Sequence, residues 1–205
     1  MLGHRLLHVI VLPLMAGIAT TAYAASFTYS ADLTGSAEAI PNASPGIGST
    51  EVTYDDAAHS LRVQISFSGL LGGTTASHIH APTAVPDTGT AMVATTVPTF
   101  AGFPLGVTSG TYDSGWLDLT NASSFNPAFI AAWGGTTASA EAALAAALGA
   151  GTSYLNIHTS LYPGGEIRGF LHAVPEPATW ATMLLGFGLV GAVVRSRRRA
   201  KILFG

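Results

Sequence analysis

Three histidines stand in sequence contexts that can bring their imidazole rings together. His78 and His80 form a His-x-His pair within Ser77–Pro82, and His158 lies on a second predicted strand. On a β-strand, side chains two residues apart project from one face, about 6.5–7 Å apart, so both imidazoles can reach one metal ion. Histidine nitrogens bind copper and zinc well. The pattern therefore predicts a metal site formed by His78, His80 and His158, with Glu166 as a nearby carboxylate.

The same histidines could instead serve the fold alone. In this second interpretation each ring hydrogen-bonds to a loop carbonyl or carboxylate and so fixes the turn at residues 163–165. Arg168 is expected to pair with Glu166 or with an aspartate elsewhere in the domain. His59 and His172 are expected at the surface. The residue types alone leave both interpretations of the histidines open.

Other catalytic patterns are missing from the sequence. It contains no Gly-x-Ser-x-Gly segment, where a nucleophilic serine would lie, and no glycine loop of the kind that binds phosphate. The chain has no cysteine, which excludes disulfide bonds, thiolate metal ligands and cysteine catalysis. We therefore expect a protein that is not an enzyme, with a redox-active metal protein as the catalytic alternative.

Charge is distributed unevenly along the 205 residues. Residues 25–173 contain two basic residues against ten acidic ones, and the other basic residues lie near the two ends of the chain. An acidic domain repels phosphate backbones, so nucleic acid is not an expected partner. This central region is also long enough for one domain with a core of its own.

Alternating apolar and polar residues in the central region indicate strands with one buried face. The clearest run is Leu61–Ser68, whose apolar members are Leu61, Val63, Ile65 and Phe67. Further strands are expected near residues 27–33, 52–54, 77–80, 110–119, 153–158 and 166–172. Short strands separated by turn residues are typical of all-β domains. We predict an antiparallel β-sandwich, either immunoglobulin-like or superoxide-dismutase-like.

One short alanine-rich helix is expected inside this domain. The segment Ser139–Leu148 has two leucines four residues apart. Ser139 can cap the start of the helix, and glycines follow its end. Pro82–Gly106 contains several prolines and little periodicity, so we expect a long irregular loop there.

Both ends of the chain carry the marks of export. Residues 1–24 combine a short positive region, an apolar run and small residues, which predicts a signal peptide cut by signal peptidase after Ala24. The segment 178–194 is apolar and is followed by arginines, which places that end in the cytoplasm. We therefore predict a C-terminal transmembrane helix and an extracytoplasmic central domain.

The C-terminal region, residues 174–200, resembles the PEP-CTERM sorting signal of Gram-negative bacteria. It has the three parts of that signal in order: Val-Pro-Glu-Pro, an apolar stretch and an arginine cluster. The resemblance implies cleavage by a membrane-embedded exosortase after a transient stay in the inner membrane, then delivery to the cell surface or an exopolysaccharide matrix. A plain stop-transfer helix is the alternative. The residues expected to direct processing are Pro175, Glu176, Pro177, Arg197, Arg198 and Arg199.

The central domain, residues 25–173, resembles the CHRD family in three spaced motifs. These are Ser-His-Ile-His-Ala-Pro at 77–82, aromatic-x-Asn-Ile-His-Thr at 154–159 and Pro-Gly-Gly-Glu-Ile-Arg-Gly at 163–169. The resemblance implies an extracellular β-rich module without a settled activity. The His-x-His strand is also similar, over a few residues, to that of copper–zinc superoxide dismutase.

Two hypotheses about function follow. The first is a non-catalytic protein of the cell surface or exopolysaccharide matrix, whose CHRD domain is a binding or structural module for exopolysaccharide or surface proteins. The second is an extracytoplasmic copper- or zinc-binding protein, with or without redox activity, that uses His78, His80 and His158. Metal analysis of the wild type and of a His80→Ala variant separates the two.

Overall fold

A computed structural model describes residues 26–175, 184–188, 190 and 195 of the chain. The strands in these ranges are β1 (Ser26–Thr34), β2 (Ile47–Asp55), β3 (Ser60–Ser68), β4 (Thr74–His80), β5 (Gly110–Asp118), β6 (Tyr154–Thr159), β7 (Ile167–Phe170) and β8 (His172–Ala173). Two helices, α1 (Pro127–Ala132) and α2 (Thr137–Gly149), lie between β5 and β6 along the chain. The predicted predominance of β structure is confirmed.

The strands hydrogen-bond in one antiparallel sheet in the order β4-β6-β7-β1-β2-β3-β5, with β8 beside β1. The sheet curls, and the loop before β5 returns to β4 at the opposite edge. There Thr74 N donates to Val107 O at 2.9 Å, and Gly106 N donates to Thr74 O at 2.8 Å. The antiparallel arrangement is confirmed, but the expected division into two sheets is not. A curled sheet encloses a core without a second sheet.

The core lies inside the curl and uses the strand faces that the alternation predicts. Burying an aliphatic or aromatic side chain contributes about 1.5–3 kcal/mol, so the apolar face of each strand turns inward. The buried side chains of the strands include Tyr29, Leu33, Val52, Leu61, Val63, Ile65, Phe67, Ile79, Leu155, Ile157 and Ile167. The opposite faces of β4 and β6 therefore point away from this core.

The alanine-rich helix is present as α2, but its start differs from the prediction. Thr136 is the N-cap: its Oγ1 accepts a hydrogen bond from Ser139 N at 3.1 Å. Thr136 N in turn donates to Ser139 Oγ at 3.3 Å. Ser139 thus completes a capping box one turn inside the helix instead of capping it.

Helix α1 was not expected from the apolar pattern, because it is only six residues long. Its start does carry a local signal. Asn126 is the N-cap, with its Oδ1 accepting from Ala128 N at 3.0 Å, and Pro127 occupies the first helical position. Asparagine followed by proline is a common helix start.

The loop at residues 81–106 is irregular, as predicted, and runs along the outer edge of β4. Ala94 N donates to Ile79 O at 2.9 Å, and Phe100 N donates to Ser77 O at 3.3 Å. Phe100 and Phe103 are buried and anchor the loop in the core. The loop therefore covers backbone groups that an edge strand would otherwise expose.

The two ends of the chain are largely outside the described residues. Residues 184–188 and 190 are helical, but no helix among the described residues combines the length and apolar character needed to cross a membrane. The expected transmembrane helix at 178–194 is therefore not confirmed. The expected signal peptide, residues 1–24, lies wholly outside the described part.

Candidate metal centre

One face of the sheet carries buried polar side chains. Along β6, Tyr154, Asn156 and His158 point away from the core, opposite to their apolar neighbours. On the adjacent β4, His78 lies directly opposite Asn156, and His80 lies opposite Tyr154. The strand register thus brings the three histidines to a common face, as the spacing predicts.

Loop carbonyls orient all three rings. The hydrogen bonds run from His78 Nε2 to Pro98 O at 2.5 Å, from His80 Nδ1 to Ala91 O at 2.9 Å and from His158 Nδ1 to Pro163 O at 2.9 Å. A carbonyl oxygen only accepts, so each bonded nitrogen carries the hydrogen of its neutral ring. The second nitrogen of each ring is left with a free lone pair, the form in which imidazole binds a metal.

These second nitrogens are free to bind a metal ion. They are His78 Nδ1, His80 Nε2 and His158 Nε2, all buried and without a hydrogen-bond partner among the described residues. One ring nitrogen from each histidine lies within 4.8 Å of those of the other two. Zinc–nitrogen bonds of about 2.0–2.1 Å place ligand nitrogens roughly 3.3–3.6 Å apart. Movement of each ring by less than about 1 Å would therefore complete a three-nitrogen site.

Burial keeps the three rings neutral. It is the largest influence on each and lowers the pKa of His78, His80 and His158. For His80 the pKa falls to about 4, although the hydrogen bond to Ala91 O opposes the shift. No proton has to leave these rings at pH 7 before a metal ion can bind.

Next to His80 on the same face, Tyr154 and Arg168 form a stack with the His80 ring. The Tyr154 ring stacks on the His80 ring with centroids 4.8 Å apart, and the Arg168 guanidinium lies 4.7 Å from the Tyr154 centroid. Arg168 donates to Ala37 O at 2.5 Å and lies 4.0 Å from Glu38. The expected pairing of Arg168 with Glu166 or an aspartate is therefore wrong.

Glu166 is not part of the histidine cluster, contrary to expectation. Its carboxylate is fully buried and accepts four hydrogen bonds elsewhere. The donors are Ser44 Oγ at 2.6 Å, Leu71 N at 2.6 Å, Thr159 Oγ1 at 2.7 Å and Gly72 N at 3.1 Å. The carboxylate turns towards the loop after β3, where it finds two backbone donors.

His59 and His172 are more than half exposed, as expected, but each has an acidic partner. His59 Nδ1 lies 3.0 Å from Glu141 Oε2, and His172 Nε2 lies 3.0 Å from Asp87 Oδ1. Both pairs join segments that are distant in sequence. Neither histidine belongs to the cluster.

Two further residues line the histidine face and were not assigned a role from the sequence. Glu38 Oε1 and Asn156 Oδ1 are buried and have no hydrogen-bond partner in the described part of the chain. Burial raises the pKa of Glu38 to about 7, against the lowering influence of Arg168. The place of Asn156 on this face follows from strand alternation. Glu38 lies in a turn after β1, where no periodic pattern points to it.

The residues expected to direct processing are mostly outside the described part: Ala24, Glu176, Pro177, Arg197, Arg198 and Arg199. Pro175 is described and exposed. It follows Val174, whose N donates to Thr28 O of β1 at 2.8 Å. Among the described residues, the last hydrogen bond between this end and the sheet thus comes immediately before the Pro-Glu-Pro sequence.

Comparison with known protein families agrees with this division of the chain. The CHRD domain family matches residues 29–171, and the PEP-CTERM protein-sorting motif matches residues 173–199. No curated protein and no solved structure matches the chain significantly. The sorting motif indicates an exported protein that exosortase processes and that resides at the cell surface or outside the cell. With about 70% of its length matched, the chain belongs to the CHRD domain family.

Proposed function

We propose that this exported protein is a transition-metal-binding module of the cell surface or extracellular matrix. Its CHRD domain binds one copper or zinc ion through His78, His80 and His158. One observation carries the proposal: the neutral rings of buried His78, buried His80 and partly buried His158 are each held by a backbone carbonyl and each keep one buried nitrogen without a partner among the described residues, and one ring nitrogen of each lies within 4.8 Å of the others.

A purely structural role accounts for only one of the two ring nitrogens of each histidine. The carbonyl contacts use one nitrogen per ring and leave the other buried without a partner. An unsatisfied buried polar atom costs about 1–3 kcal/mol, and here three such atoms belong to neighbouring rings whose centroids lie 5.2–6.0 Å apart. A metal ion satisfies all three together. Carbonyl contacts of this kind are also what orients metal-binding histidines in known sites.

The donor set supports copper or zinc over the alkaline-earth ions. The described cluster consists of three imidazole nitrogens, whereas Mg²⁺ and Ca²⁺ prefer oxygen ligands. Three protein ligands also leave coordination positions for a further ligand, as in catalytic zinc sites. Redox activity would require copper, because zinc has no redox chemistry, so zinc in the site would exclude a redox role.

Metal analysis of the exported protein tests the proposal. We expect about one equivalent of copper or zinc per chain, and at least a fivefold lower content in His80→Ala. His172→Ala is the matched control, because it removes an exposed imidazole outside the cluster. A metal content that His80→Ala leaves unchanged, or a metal-free wild type after incubation with either ion, would contradict the proposal.

The outer face of the sheet favours a second, compatible role in binding matrix polysaccharide. An open depression there is lined by small polar and acidic side chains of β1, β2, β3 and β5. Trp116 on β5 is 55% exposed and lies opposite Arg62 of β3. An exposed indole offers an apolar surface beside polar groups.

Retention on purified exopolysaccharide tests this second role. We expect Trp116→Ala to be retained less than the wild type, with Trp133→Ala as the control for loss of an exposed indole elsewhere. Equal retention of all three proteins, or none, would contradict it.

A further inference from the structure

Buried polar atoms without partners are concentrated on the histidine face. Six such side-chain atoms occur among the described residues. Three are the histidine nitrogens, two are Glu38 Oε1 and Asn156 Oδ1, and the sixth is Ser153 Oγ. Since nearly all buried polar groups in folded proteins are paired, this concentration marks a place where water or an ion supplies the missing partners.

A metal ion satisfies the nitrogens but leaves two oxygens without hydrogen donors among the described residues: Asn156 Oδ1 at any pH, and Glu38 Oε1 when its carboxyl is deprotonated. Both side chains are more than nine-tenths buried, with Glu38 7% exposed and Asn156 3% exposed. A water on the ion has the opposite need, because it carries two hydrogens and requires acceptors for them. Such a water can therefore donate its two hydrogens to the two oxygens, which lack donors.

The positions of the two oxygens agree with this pairing. Asn156 lies opposite His78 and two residues before His158 on the same strand face. Asn156 Nδ2 donates to Glu38 Oε2 at 3.5 Å, so the Glu38 carboxyl lies beside the Asn156 amide. A Cβ on Gly165 would lie 2.5 Å from Asn156 Nδ2, 2.6 Å from Asn156 Oδ1 and 2.7 Å from Glu38 Oε1. Both side chains therefore pack against Gly165, in the turn that holds His158 through Pro163 O.

On the basis of the proposed metal site, we infer that the ion keeps an exchangeable coordination position for a small ligand bound through one atom. Asn156 and Glu38 are the positioning residues that accept the hydrogens of a water held there. The site is thus of the open type, which exchanges ligands, and not of the closed type, which serves only to stabilise a fold.

Access from solvent is compatible with this inference. Glu38 lines a groove together with Ile40, Pro41 and Leu161, on the outer side of Gly165. This groove reaches the 163–165 turn, whose Pro163 O holds His158.

Azide binding to the full-length protein loaded with Co²⁺ tests the inference. Co²⁺ replaces zinc and has a visible spectrum that changes when a ligand is exchanged. We expect azide to change the spectrum with saturation. Asn156→Leu and Glu38→Met keep about the same side-chain size but remove the acceptors. Azide carries no hydrogen and needs no acceptor, so we expect it to bind both variants about threefold or more tightly.

The controls separate this inference from the proposed function. Cobalt content measures the metal site itself and should stay at about one equivalent in Asn156→Leu, Glu38→Met and Ser153→Ala. Ser153→Ala should bind azide like the wild type. If azide leaves the spectrum of the fully cobalt-loaded wild type unchanged, the exchangeable coordination position is overturned and the proposed function still stands. Failure to load cobalt, zinc or copper would overturn both. Unchanged azide affinity in Asn156→Leu and Glu38→Met would overturn their assignment.

Discussion

At the scale of single residues, two buried carboxyl groups respond to their surroundings in opposite ways. Burial acts to raise the pKa of Glu166, but the hydrogen bonds from Ser44, Leu71, Thr159 and Gly72 hold that pKa below its ordinary value. Glu38 lacks such a set of donors, and burial raises its pKa to about 7. The number of donors around each oxygen, and not burial by itself, decides the charge state.

Glu166→Gln should therefore destabilise the domain at neutral pH. The variant turns an amide group towards backbone and hydroxyl donors that the carboxylate satisfies, and we expect a loss of about 2–3 kcal/mol in the free energy of unfolding. Because the folded pKa is lowered, the wild-type advantage exists above the unfolded pKa of about 4.3 and disappears as pH falls through the folded value. Urea unfolding at pH 7 and pH 3.5 measures it.

The matched control for Glu166 is Glu51→Gln, at an exposed position of β2. A variant at Glu166 that is as stable as this control at pH 7 would contradict the role of Glu166 in joining the loops.

Glu38→Gln should show the opposite pH dependence in protein stripped of metal by a chelator. The folded wild type holds a proton that the unfolded chain releases above about pH 4.3, so its stability falls as pH rises towards 7. The melting temperature of the variant relative to the wild type should therefore be higher at pH 8 than at pH 5. A difference in melting temperature that is the same at both pH values would contradict this environment for Glu38.

At the scale of elements, the start of α2 depends on the Thr136–Ser139 capping box. Thr136→Ala removes the oxygen that accepts from Ser139 N, and we expect the free energy of unfolding to fall by about 1 kcal/mol. Thr137→Ala is the control, because it lies one residue inside the helix and does not cap it. Equal unfolding curves for the two variants would show that the box contributes nothing.

Strand positions could be predicted from the sequence, but strand pairing could not. The alternation of Leu61, Val63, Ile65 and Phe67 reports which side of a strand is buried, since burial is a local property of each side chain. It says nothing about which strand lies alongside. The single sheet arises because β7 pairs with β1 across more than a hundred residues of sequence, a contact that no local pattern encodes.

The candidate site likewise contains some residues that the sequence identifies and others that it does not. The His78–His80 pair follows from strand geometry, and His158 was identified by a motif on a separate strand. Glu38 and the carbonyl of Pro98 come from irregular segments whose paths depend on the folded core. The misplacement of Glu166 has the same origin, because its donors at Leu71 and Gly72 lie in another loop.

At the scale of the whole molecule, metal binding should raise thermal stability by mass action. An ion that binds only the folded state at a hundred times its dissociation constant adds about 2.7 kcal/mol. We expect copper or zinc to raise the melting temperature of the wild type and of His172→Ala, but not that of His80→Ala. Chelator should reverse the rise. A rise of equal size in His80→Ala would place the ion elsewhere.

The two processing events predict the ends of the mature chain. Mass spectrometry of the exported protein should find Ala25 at the N-terminus and a C-terminus near Pro175–Pro177. The exposure of Pro175, directly after the last described contact with the sheet, leaves this segment accessible to a protease. An intact chain of 205 residues recovered from the cytosol would contradict the export of the domain.

Two backbone carbonyls of the loop at 81–106, those of Pro98 and Ala91, accept hydrogen bonds from the rings of His78 and His80 on β4. An ion that fixes these rings also tethers the loop, in a chain that has no cysteine with which to form a covalent cross-link. Reducing agents would leave such a tether intact, whereas scarcity of the ion would release it. Nicking of this loop by extracellular peptidases would then report how much metal the surroundings supply.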